Sequence, residues 1–180
     1  MKLPTSLALL VAVLGVANAQ ERPVDQQISE ALMPLPHHMR AGATVIGYDA
    51  TGKEVLLRRG TSNFTCTADS PANGFSVRCF PNIIADYRAR VSELLAAGTS
   101  EDELRDIVDA EIKSGKLHLP DRAVSYAIRG AELQNALPLM VIYLPGATAE
   151  STGLSTVPNH YRPWLMFAGT SAAHVMIPGK

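Results

Sequence analysis

The chain has 180 residues, with 16 Lys and Arg against 17 Asp and Glu and a net charge of −1. Its basic residues are scattered, so no strongly basic face for nucleic acid or anionic lipid is expected. A chain of this length suits one domain with a proper core.

Lys2, the apolar run SLALLVAVLGVA (6–17) and the triplet Ala17-Asn18-Ala19 follow the order of a secretory signal peptide cleaved before Gln20. The run is shorter than the roughly 20 apolar residues that a membrane span needs. Charged residues, Pro or Gly interrupt every later apolar run. Residues 1–19 therefore read as a leader, 20–42 as an irregular lead-in, and 43–180 as a single domain in a secreted or periplasmic protein.

Pro34 and Pro36 discourage a long helix in the lead-in. ATVIGYD (43–49) and EVLLRR (54–59) are β-rich runs around a turn at Asp49 to Gly52, which predicts a hairpin. TSNFTC (61–66) continues as a third strand. Cys66 and Cys79 are an even pair, close in sequence, and predict a disulfide in an exported chain. Such a loop contributes roughly 3 kcal/mol by restricting the unfolded chain.

Ile83, Ile84, Tyr87, Val91, Leu94 and Leu95 recur at helical spacing, with Pro81 in the first turn and Gly98 past the end. Ser100 with Glu103 is a capping box for a second helix striped by Leu104, Ile107, Val108 and Ile112 and closed by Gly115. The two predict an αα-hairpin lying on a sheet. Strands return at AVSYAIR (123–129), LMVIYL (139–144), WLMFAG (164–169) and HVMI (174–177). LMVIYL is apolar throughout and is expected at the sheet centre with both faces covered. The predicted fold is α+β: a mainly antiparallel sheet against an αα-hairpin, with one disulfide.

Chemistry-bearing motifs are few. Gly169-Thr170-Ser171 echoes the serine turn of subtilisin-like proteases, but only nine residues follow it and none of the five histidines precedes a glycine. Ser171 is therefore read as scaffold. Ser151 and Ser155, with His160 nearby, offer a second serine-hydrolase reading, without a Gly-x-Ser-x-Gly elbow. His37 with Met39, and His174 with Met176, would each put an imidazole and a thioether on one face of a strand. Such pairs suit copper, provided that the first and last strands are neighbours. Tyr143, Trp164 and Phe167 are candidates for an aromatic ligand wall beneath the long 145–163 connection.

The run Gly60 to Cys66, the second Cys79 before a two-helix stretch, and the ending His174-Val175-Met176-Ile177 resemble a group of small secreted bacterial proteins without an established activity. The resemblance implies export from a bacterial cell and supplies no catalytic residue. The expectation is a non-catalytic domain, without a cofactor, that binds a small molecule or an envelope protein. A copper-binding protein and a small serine hydrolase are the alternatives.

Overall fold

A computed structural model describes residues 22–70 and 74–179; the leader reading lies outside them. Runs of β-branched and aromatic residues build eight strands: β1 (Thr44–Tyr48), β2 (Glu54–Arg58), β3 (Phe64–Thr67), β4 (Phe75–Pro81), β5 (Ala123–Gly130), β6 (Leu137–Tyr143), β7 (Trp164–Met166) and β8 (His174–Pro178). They form one sheet in the order β2-β1-β3-β4-β5-β6-β8-β7. Every pairing is antiparallel except that of β1 with β3. Cys66 and Cys79 stand opposite each other on β3 and β4 and are disulfide-bonded. The architecture is α+β with a mostly antiparallel sheet.

Local chemistry sets the turns. Asp49 Oδ1 accepts hydrogen bonds from the Thr51 and Lys53 N–H groups, at 2.8 and 3.0 Å, and so closes the β1–β2 hairpin. Gly60 lets the chain pass against the start of β1, where a Cβ would overlap the backbone of Gly42 and Ala43.

Neighbouring residues of a strand face opposite sides, and β4 uses this to serve two cores. Cys79 belongs to a core with Val45, Cys66, Ala31, Leu32 and Leu35. Phe80 belongs to the other, with Ile84, Tyr87, Val91, Leu104 and Val108.

The first core is covered by α1 (Val24–Ala31), with α2 (His37–Arg40) following. The lead-in is thus helical and part of the core, against the expectation of an irregular segment. Pro23 and Pro36 directly precede the two helices, where a missing N–H costs no intrahelical bond. They delimit short helices rather than prevent them. Gln27 is buried to 2% exposure and acts as a surrogate strand partner. Its Oε1 accepts from Tyr48 N–H at 2.9 Å, and its Nε2 donates to Tyr48 O at 3.0 Å and Arg22 O at 3.1 Å.

The opposite face carries α3 (Ala85–Ala96) and α4 (Glu101–Lys113). Pro81 ends β4, and a 3₁₀ turn over Asn82–Ile84 precedes α3. Ile83 and Leu95 are solvent-exposed, so the buried stripe narrows to Ile84, Tyr87, Val91 and Leu94. Gly98, at φ 80°, ends α3, and Ser100 with Glu103 forms the capping box that starts α4. Arg90 of α3 holds Glu111 of α4 through Nε at 2.9 Å and Nη2 at 2.9 Å. On β6 only Tyr143 is buried and the LMVI residues are half-exposed. The expected double cover is absent there because α1 packs on β1, β2 and β4.

Candidate ligand cavities between the sheet and α3

Helix α3 crosses the sheet face that carries Arg78, and its sequence gives it two different flanks. Tyr87, Val91 and Leu95 recur every four residues on one side. Ala85, Ala89, Ser92 and Ala96 follow the other. Arg88 lies between the two rows, on the underside. Each flank overhangs a cavity, and Arg78 and Arg88 line both.

The cavity on the Tyr87 flank has a volume of about 310 Å³. Leu139, Val141 and Met176 line it from the sheet, and Val91 and Leu95 from the helix. The register accounts for the sheet contribution. Arg78 pairs with Ala127, Ala127 with Leu139, and Val141 with Met176, so these side chains share one face.

Three arginines enter this apolar space: Arg78, Arg88 and Arg129. Among the described residues, none has a carboxylate within salt-bridge distance. Arg78 has only the Ser76 hydroxyl, accepting at 3.3 Å. Burial, then the Arg88 and Arg129 charges, pull Arg78 down to about 9. Arg129 is lowered too, by crowding protein atoms first and by Arg88 second. Because its side chain also reaches solvent, Arg129 stands at the mouth. Glu101 lines the same cavity without pairing with any of the three. Guanidiniums gathered without a counter-charge oppose folding, and a bound anion removes that penalty.

Aromatic rings and one histidine fill the end nearest β8. Tyr143 meets Tyr87 edge-on with centroids 5.5 Å apart, and Phe167 meets His174 edge-on at 5.4 Å. His174 Nδ1 lies 2.8 Å from Ala172 O. A carbonyl only accepts, so Nδ1 carries the proton and Nε2 is the free acceptor. Burial pushes His174 down to about 4, which keeps the ring neutral at pH 7. Tyr87 is held well above the usual phenol range by burial, with Tyr143 adding to the effect. Phe167 adopts φ 56°, the left-handed region, at a cost of order 1 kcal/mol. Its carbonyl is held by Thr170 Oγ1 at 2.8 Å.

The second cavity, about 600 Å³ on the Ala89 flank, is lined by Ile46, Ala68 and Phe80 together with a group of hydroxyl-bearing residues. Tyr48, Thr65, Thr67, Ser70, Ser76 and Ser92 line it, together with Glu54.

The residues expected from sequence are distributed as follows. Tyr143 and Phe167 meet around His174. Trp164 lines a separate groove with Thr156 and Pro158 of the long connection. His174 and Met176 both line the first cavity, whereas His37 and Met39 lie on α2, a helix rather than a strand. Four strands separate β1 from β8, and Met39 packs in the α1 core whereas His174 and Met176 line the cavity under α3 on the opposite sheet face, so the two His/Met pairs do not converge. Among the described residues, no three His, Cys, Asp or Glu side chains are grouped to hold a metal. Ser171 N–H donates to Asp109 Oδ1 at 2.7 Å within the turn before β8, and no helix follows it. The Ser151 hydroxyl donates to Thr148 O and accepts from Thr148 N–H, while Ser155 Oγ accepts from Val157 N–H. Both hydroxyls thus hold their own loop.

The three arginines were not singled out from sequence. One signal was present: Arg88 stands four residues after Ile84 and three before Val91, on the buried stripe itself.

The fold and cavities therefore define an α+β protein with two recesses joined at a basic pair. No protein-family model matches the chain. No match is found among curated proteins or among solved structures.

Proposed function

We propose that this chain is an exported binding protein whose cavity accepts a small anion carrying an apolar body. The observation behind the reading is the trio Arg78, Arg88 and Arg129, grouped without a carboxylate partner among the described residues at an apolar recess. A phosphate or carboxylate head neutralises the trio, and arginine's planar fork binds either oxyanion in a bidentate way. A tail lying along Leu139, Val141 and Met176 adds roughly 25 cal/mol for each Å² removed from water. The recess, about 310 Å³, falls in the usual range for small-molecule sites and holds about ten methylene-sized groups. The leader-like segment and the disulfide support export.

Calorimetric titration with decyl phosphate, below its micelle concentration, tests the reading. Micromolar binding is expected, with a loss of about tenfold or more in Arg88→Met, because a charge-assisted bond contributes more than 1.4 kcal/mol. No binding by the wild type, or equal binding by Arg88→Met, contradicts it.

A further inference from the structure

We infer that the ligand is a phosphodiester joining an apolar chain to a hydroxylated head, with the phosphate under α3 and one substituent on each flank. This deepens the reading above and rests on it. Among the described residues, Arg78 and Arg88 are the side chains that line both cavities, so an anion held between them faces two compartments, the second richer in hydroxyl-bearing side chains. On the Tyr87 flank the lining includes Leu139, Val141, Met176, Val91 and Leu95, with Ser125, Tyr126 and His174 beside them. On the Ala89 flank six hydroxyl-bearing residues and Glu54 join Ile46, Ala68 and Phe80, and the helix contributes only small side chains, Ala85, Ala89, Ser92 and Ala96, beside Arg88.

An anion with a single apolar substituent fills the first compartment and leaves the second to water. A diester fills both. Thr67 and Ser92 bring hydroxyls to this lining, Ser92 from a solvent-exposed position. The Glu54 carboxylate, unpaired with any cation there, supplies an acceptor for head-group hydroxyls at the far side. A phosphodiester keeps one negative charge at any physiological pH, which two guanidiniums hold without a metal.

The test compares two singly charged diesters with the same tail, decyl methyl phosphate and decyl phosphoglycerol, on the disulfide-bonded protein. The glycerol diester is expected to bind about tenfold more tightly, the effect of one or two added hydrogen bonds. Ala89→Leu, on an exposed position of the hydroxyl-lined flank, should erase that advantage and leave decyl methyl phosphate unchanged. Glycerol phosphate, which lacks the tail, should bind at least tenfold more weakly than decyl phosphoglycerol. If both diesters bind equally, or Ala89→Leu weakens neither, the two-compartment ligand is overturned while the amphipathic-anion reading stands. If neither diester nor decyl phosphate binds, both fall.

Discussion

The two faces of the sheet resolve the same problem, polar groups beside a core, in opposite ways. Under α1 a buried polar side chain is fully matched. The Gln27 amide is buried, yet both its oxygen and its nitrogen are used, and it completes the end of β1. Under α3, among the described residues, three guanidiniums gather at a cavity without a carboxylate partner and one of them finds a hydroxyl. A buried polar group with partners specifies structure. A cluster of like charges without them costs stability, and under the proposed function a bound anion offsets that cost. The contrast separates scaffold from site.

The largest expected effect sharpens the contrast at the α3 side through pH. His174 is lowered from 6.5 to about 4, so between those values the unfolded chain takes up a proton that the folded one refuses. Its contribution is complete above pH 6.5 and fades as pH falls towards 4. Wild type should lose about 2 to 3 kcal/mol more than His174→Gln between pH 7 and pH 4.5, read by urea denaturation. Parallel losses in the two proteins would mean that His174 is not sealed from solvent. A smaller effect is expected from the matched face. Gln27→Leu keeps the bulk but strands the Tyr48 N–H and carbonyl, at about 1 to 3 kcal/mol, visible as a lower urea midpoint with an unchanged slope. An unchanged midpoint would show that water replaces the amide and that this face is not closed.

Much of the scaffold was readable locally. The Asp49 turn, the Ser100–Glu103 box and the Gly98 stop each depend on residues within a few positions, and each stands as expected. Helix α1 was hidden because its inward side includes Gln27, a polar residue that a periodicity search counts as solvent-facing. Strand β4 was hidden inside the disulfide loop, and with it the reason that Arg78 and Cys79 look in opposite directions. The site was harder to read for a different reason. Arg78, Arg88 and Arg129 lie on β4, α3 and β5, and charges scattered along the chain converge only once the strand order is known. That order also keeps the two His/Met pairs apart. Tyr143 and Phe167 were within reach of sequence, but as neighbours of His174 rather than as a wall shared with Trp164.

The decisive measurement is a pair of thermal melts, wild type against Arg78→Met, each with and without decyl phosphate. Removing a guanidinium that has no carboxylate partner among the described residues should raise the ligand-free stability by about 1 kcal/mol. It should also remove most of the ligand-induced rise, which for wild type is about 2.7 kcal/mol at a hundredfold excess over Kd. A variant that melts lower than wild type without ligand, and is stabilised equally by it, would show that Arg78 belongs to the scaffold and would contradict the account.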